Sequence, residues 1–158
     1  MAEKVTRIKL NDGNQMPIVG YGTYEIKGEE ISMAIEAGYR HFDGADFYQN
    51  EEVIGKYLSD AFSAGKVKRE DLFIVSKVWP TWHRKGRPTL SAQRSLKNLG
   101  LDYVDLLLIH WPMQFEQGDV GYPLDANGNV ILDETIDLVE LWKEFEDIKR
   151  AGSLSNIN

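Results

Sequence analysis

An ammonium group in the middle of an apolar strand is costly to leave unpaired, and Lys77 occupies such a place, inside Phe73-Ile74-Val75-Ser76-Lys77-Val78-Trp79. Two other apolar runs end in an ionisable side chain, Arg40-His41-Phe42-Asp43 and Leu106-Leu107-Leu108-Ile109-His110. The three groups recur at intervals of about 34 residues, the length of one strand-plus-helix unit, which predicts that Asp43, Lys77 and His110 stand side by side at one end of a parallel sheet. Tyr48, just beyond Asp43, is expected to face the same mouth. As chemistry the set is coherent. A phenol, with a pKa of about 10, is a poor acid at neutral pH until an ammonium beside it favours its anion. Asp43 keeps that ammonium charged and fixed. His110 donates a second hydrogen bond to an oxygen gaining negative charge, such as a carbonyl being reduced. This chemistry calls for no metal and no nucleophile. Taken singly, each residue has a plainer reading: Lys77 as a snorkelling strand-end lysine, Asp43 as a cap or turn residue, Tyr48 as packing, His110 as a satisfied core histidine. Their conjunction at one period favours chemistry.

The elements that must position them follow from patterning. Thr6 to Leu10 alternates polar and apolar, Asn11-Asp12-Gly13-Asn14 is a turn and Met16-Pro17-Ile18-Val19 returns, so a hairpin opens the chain. Four strand–helix units follow. The strands are expected at Val19 to Thr23, Arg40 to Asp43, Asp71 to Val78 and Tyr103 to His110, the last an unbroken apolar run of the kind buried on both faces. The helices present Ile31, Ala34 and Ile35; then Ile54, Tyr57, Leu58, Ala61 and Phe62; then Leu96 and Leu99. A fourth, after a long polar loop, carries Leu138, Leu141, Trp142, Phe145 and Ile148 on one side and ends at Ala151-Gly152. Glycines 38, 65 and 100 close the first three. A doubly wound sheet would fit the alternation, but Gly20-Tyr21-Gly22 lacks the third glycine of a dinucleotide fingerprint. The pattern is therefore an α/β fold: an N-terminal hairpin plus four βα units of a (β/α)8 barrel, where a whole barrel takes about 250 residues. The inner face is expected to include Val19, Phe42, Val75 and Leu107, with no opposite wall, and the two open edges predict self-association.

Composition excludes other classes. The 158 residues carry a formal net charge of −7 and are 42% hydrophobic, which describes one ordinary soluble domain, residues 1–158. Without cysteine there is neither a disulfide framework nor a thiolate zinc site. No apolar run approaches the ~18 residues of a membrane span, and Met1-Ala2-Glu3-Lys4 does not begin a signal peptide, so a cytoplasmic protein is expected. The acidic balance argues against nucleic acid as a partner. His83-Arg84-Lys85-Gly86-Arg87 reads as a solvated loop.

Three stretches together carry a resemblance: Gly38-Tyr39-Arg40-His41-Phe42-Asp43 with Tyr48-Gln49-Asn50-Glu51, then Ser76-Lys77-Val78-Trp79, then Asp105 to Pro112. They closely resemble the aldo-keto reductases, over nearly the whole chain. The resemblance implies an NADPH-dependent oxidoreductase that reduces aldehydes or ketones, with Tyr48 as general acid, Lys77 and Asp43 tuning it, and His110 orienting the carbonyl oxygen. It implies cofactor contacts at Gly22, Thr23, Tyr24 and Asp43, and a carboxamide-binding pair at Ser155 and Asn156. It also implies a substrate pocket walled by Tyr24, Phe47, Trp79, Trp111 and Tyr122 with His110; from the residues alone these aromatics read as core. Two departures stand out. The family's barrel continues through four more units that hold the rest of the cofactor groove, and Ser155-Asn156 follows Ala151-Gly152 without the family's intervening strand, as though sequence had been lost internally. The rival expectation is an inactive half-barrel that serves as an interaction or assembly module. A barrel lyase or isomerase would need a carboxylate pair or a phosphate loop, and neither is found.

Overall fold

The computed structural model describes residues 5–152. The opening hairpin pairs β1 (Arg7–Lys9) with β2 (Gln15–Pro17) in antiparallel register, Ile8 opposite Met16. Its turn is built by Asp12, whose carboxylate accepts from the Asn14 amide at 3.0 Å, and by Gly13 at a φ of 95°. Four strands then form one parallel sheet in sequential order: β3 (Tyr21–Gly22), β4 (His41–Asp43), β5 (Phe73–Val78) and β6 (Leu106–Ile109). The order is sequential, without the reversal of a doubly wound sheet. Strand β3 is shorter than expected, and Val19 before it is 59% exposed.

The helices are α1 (Glu29–Glu36), α2 (Glu51–Ser63), α3 (Arg87–Leu99) and α4 (Leu138–Arg150). Each buries one stripe. Ile31, Ala34 and Ile35 of α1, then Ile54, Leu58 and Ala61 of α2, then Ala92 and Leu99 of α3 pack with Phe42, Ile74, Val78 and Leu107 of the sheet. Helix α3 opens with Pro88 in its first turn and closes on Gly100 at a φ of 64°. Helix α4 starts at an Asp137 cap that accepts from the Val139 and Glu140 amides, and it buries Leu141, Phe145 and Ile148. Leu138 and Trp142, expected on that stripe, are exposed, because the buried set is the narrower i, i+4, i+7 row. None of the described helices is long and apolar enough to cross a membrane.

Register decides which side chains share a face. Phe42 lies beside Ile74 and Ser76 beside Leu107, so these point to the helices; Asp43 lies beside Val75 and Lys77 beside Leu108, so these point inward. Phe42 and Leu107 therefore belong to the helix-packed core rather than to the inner face. The inner face is Phe73, Val75 and Leu106, packed with Leu108 and with Leu10 and Met16 of the hairpin. The hairpin thus covers the end of the sheet away from Asp43, Lys77 and His110. Among the described residues, β3 and β6 are the terminal strands, each paired on one side.

Candidate active site

The end of β5 carries Lys77 inward beside the end of β4, and its side chain is only 11% exposed. Its ammonium has three partners: Asp43 Oδ1 at 2.8 Å, the Gly44 carbonyl oxygen at 2.8 Å and the Tyr48 hydroxyl at 3.3 Å. Tyr48 reaches that position because the chain leaves β4 through Gly44-Ala45 into a single helical turn, Asp46–Tyr48. The site thus joins the buried lysine to a phenol and a carboxylate.

His110 follows β6 by one residue, and its amide donates to the Val78 carbonyl oxygen at 3.0 Å. Its ring stands edge-on to Tyr48, with centroids 5.8 Å apart, and to Trp79 at 4.9 Å. Burial, then the positive charge of Lys77, push its pKa down to about 4, with Asp43 acting in the opposite sense. The imidazole is therefore neutral near pH 7, with one N–H to donate. Its Nδ1 is buried and has no hydrogen-bond partner.

An aromatic wall rises beside these groups. Phe47 stacks on Trp79 at 3.6 Å, Tyr122 stands edge-on to both at 5.4 Å, and Trp111 lies 4.7 Å from Trp79. The Trp79 indole N–H donates to the Gly121 carbonyl oxygen at 2.6 Å, which pins the long loop after β6 to the wall. A side chain at 121 would come within 2.6 Å of the Phe47 ring, so the loop can approach this closely only as glycine. Tyr24, largely exposed, stands edge-on to Tyr48 at 5.0 Å.

The structure thus brings together Asp43, Tyr48, Lys77, His110, Tyr24, Phe47, Trp79, Trp111 and Tyr122. Gly22 lies at the same mouth, paired with Asp43 in the sheet register, and a Cβ there would meet nothing within 4 Å. Thr23 is fully buried; its hydroxyl and amide both donate to the Asp43 carbonyl oxygen at 3.1 Å. Ser155 and Asn156 lie outside the described residues.

Three residues escaped the sequence reading. Phe115 is buried against Trp79, Trp111 and Tyr122, a place that the sequence does not signal without the path of the loop after β6. His83, placed by sequence in a solvated loop, is buried, with its Nδ1 2.7 Å from the Met113 carbonyl oxygen and its Nε2 3.1 Å from that of Val78. Its neighbours Arg84 and Arg87 are engaged too, by Asp133 and the face of Trp82. Glu51, the third, opens α2 yet is buried, and it accepts from the Ser76 hydroxyl at 2.7 Å.

A model described as the aldo/keto reductase family matches residues 14–158. Aldo-keto reductase family 1 member C15 of Rattus norvegicus is 46% identical over 157 residues, 95% of this chain and 48% of its own length. Member C2 of the same family from Homo sapiens is 43% identical over 164 residues, 99% of this chain and 50% of its own length. A solved structure of the aldose reductase from Schistosoma japonicum superposes with a TM-score of 0.92 at 39% identity, covering 97% of this chain and 52% of that one. The chain spans about half the length of the curated relatives it matches.

Proposed function

The chain belongs to the aldo/keto reductase family, and from that premise we propose that its residues supply the proton-donating side of an NADPH-dependent reduction of aldehydes or ketones. The observation that carries this reading is the Tyr48 hydroxyl 3.3 Å from the Lys77 ammonium, with a neutral His110 ring beside it. Two groups at the mouth are candidates for the acid, and the electrostatics choose between them. With a pKa near 4, His110 holds no spare proton at neutral pH, so it donates a hydrogen bond and orients the carbonyl oxygen. Tyr48 gives the proton to the oxygen as it gains charge, and Lys77 stabilises the phenolate left behind. Asp43 and the Gly44 carbonyl hold the ammonium in place. Phe47, Trp79, Trp111 and Tyr122 shield the oxygen from bulk water and offer an apolar surface to the rest of the substrate.

The residues present fit the nicotinamide end of the cofactor. The space at Gly22 is open and Asp43 offers a part-exposed carboxylate, with Tyr24 edge-on to Tyr48, while Thr23 fixes the Asp43 backbone rather than offering its own hydroxyl. When bound, NADPH supplies the hydride. The comparisons favour this reading over the assembly module.

The test is Tyr48→Phe in the complete protein that carries these residues, with NADPH consumption followed on a reactive aldehyde. Loss of positioned acid catalysis should lower turnover by about 10²- to 10⁴-fold. Undiminished turnover would remove Tyr48 from its role.

A further inference from the structure

The Tyr48 hydroxyl reaches Lys77 from a short stretch of chain fixed at both ends. Upstream, the Gly44 amide donates to the Val75 carbonyl oxygen at 3.0 Å. Downstream, the Asn50 side-chain amide donates to the carbonyl oxygens of Thr23 at 2.7 Å and Ile26 at 3.3 Å. Between them lies the single turn Asp46–Tyr48, and none of its three residues is fully buried. The turn ends on Gln49, a non-glycine residue at a φ of 55°, a left-handed conformation that persists only where the surroundings enforce it. Each residue of the turn reaches a different neighbour: Tyr48 the Lys77 ammonium, Phe47 the Trp79 ring on which it stacks, and Asp46 the guanidinium of Arg94 on α3. The first two contacts belong to the mouth. The third lies outside it and has no part in the chemistry proposed above.

The Asp46 side chain is only 8% exposed, a degree of burial that a carboxylate tolerates when a cation is paired with it. Arg94 supplies the cation. Its guanidinium lies over the Trp82 ring, 4.2 Å from the centroid, where Arg87 also stacks at 3.9 Å. Trp82 closes the turn Pro80–Trp82 that follows β5, its amide donating to the Trp79 carbonyl oxygen at 2.9 Å. The contacts from Asp46 through Arg94 and Trp82 therefore return to the strand end that carries Lys77 and Trp79, and refer the Tyr48 turn to its own partners. Close packing does not hold the turn on that side: a cavity of about 310 Å³, lined by Asp46, Phe47, Trp82 and Arg94 among others, adjoins it. A turn that lost its anchor has room to roll there, and so short a turn moves Phe47 and Tyr48 together.

We infer that Arg94 is a positioning residue for the mouth: by pairing with Asp46 it fixes the roll of the Asp46–Tyr48 turn, and with it the Phe47 ring on Trp79 and the phenol beside Lys77. The consequence for turnover rests on Tyr48 being the proton donor; the placement of the turn does not. Without the guanidinium, Asp46 is a carboxylate short of hydration, which it regains by turning toward the cavity and solvent. Phe47 then leaves the face of Trp79, and the Tyr48 hydroxyl moves off the ammonium.

The experiment compares Arg94→Gln, Asp46→Ala and the double variant in the complete protein that carries these residues, labelled with 5-fluorotryptophan and with ¹³C at tyrosine Cζ. The Trp79 fluorine resonance, identified by its loss in Trp79→Phe, should move toward its position in Phe47→Leu. The Tyr48 carbon resonance, identified by its loss in Tyr48→Phe, should move toward its position in Lys77→Met. Because both single variants break one contact, the double variant should move neither signal further. Turnover of a reactive aldehyde should fall by up to about 10²-fold, the scale of a displacement of ~1 Å. A merely architectural pair would lower the melting temperature and leave both resonances in place, and that result overturns the proposal. So does undiminished turnover in Arg94→Gln while Tyr48→Phe is impaired. Should a single variant fail to fold, the double variant, which leaves neither charge unpaired, decides in the same way. Failure of the general-acid reading has a separate signature, full turnover in Tyr48→Phe, and the two resonances then still test the anchor.

Discussion

Lys77→Met keeps the length of a side chain on β5 and removes its charge, and the surroundings of the ammonium set what that should cost. Breaking a fully buried ion pair costs about 3–5 kcal/mol, and an exposed pair is worth about 0–1 kcal/mol. This pair lies between, since the Lys77 side chain is 11% exposed and that of Asp43 41%. Once the ammonium is gone, water can reach Asp43. The Gly44 carbonyl oxygen and the Tyr48 hydroxyl also lose a charged donor, while the methionine recovers the desolvation that the lysine had suffered. The balance is a loss of about 2 kcal/mol, which at ~2–4 °C per kcal/mol for a chain of this size lowers the melting midpoint by ~4–8 °C. Far-UV circular dichroism melts of Lys77→Met, Asp43→Asn and the double variant, at one protomer concentration, measure this and isolate the coupling between the two residues. A coupling within the ~0.5 kcal/mol expected of independent sites would refute the charge-pair account of the site.

His110 gives a pH dependence of definite sign. Its folded pKa near 4 lies below the ordinary imidazole value, so the unfolded chain takes up the proton first as pH falls; its contribution to stability is present above about 6.5 and lost as pH falls through 4. Denaturant midpoints measured across that range should lose this component of slope in His110→Gln, and an unchanged slope would contradict it. Gly55→Ala should destabilise although alanine is the better helix former by ~1 kcal/mol, because a Cβ at 55 would come within 2.5 Å of the Leu99 carbonyl oxygen. A rise in melting temperature for that variant would show that α2 and α3 can separate freely. We expect the 158-residue chain expressed alone to self-associate through the unpaired sides of β3 and β6, seen as assemblies by light scattering, and a monodisperse monomer would count against it.

The parts of the site that could be read from sequence were those whose cost is local. Lys77 announces itself because an ammonium inside an apolar run demands a partner wherever the chain goes. Asp43 and His110 follow from the repeat, and Tyr48 from its place just beyond Asp43. What could not be read depends on groups the one-letter code does not display. The partners of His83 are the backbone oxygens of Met113 and Val78, so its burial left no trace among three basic neighbours. Glu51 looked like any acid at a helix start, where the dipole favours one, and its partner Ser76 is distant in sequence. The misassigned inner face is different. A parallel strand apolar on both sides does not reveal which side a given residue takes, yet Asp43 and Lys77 had to share the mouth, and strict alternation then sends Phe42 the other way.

That alternation along β5 acts as a form of proofreading. Ser76 and Lys77 occupy opposite faces of one strand, the first hydrogen-bonded beneath α2 and α3, the second paired in the mouth. A slip of one residue in β5 would press the ammonium into the helix-packed core and turn Ile74 and Val78 out of it, while Glu51 would face a methylene chain. A molecule folded in that register would be unstable and without the contact of Lys77 with Asp43 and Tyr48 for the same reason. Whatever clears unstable chains from a cell thereby also clears those in which the mouth is misassembled, with no separate inspection of the site.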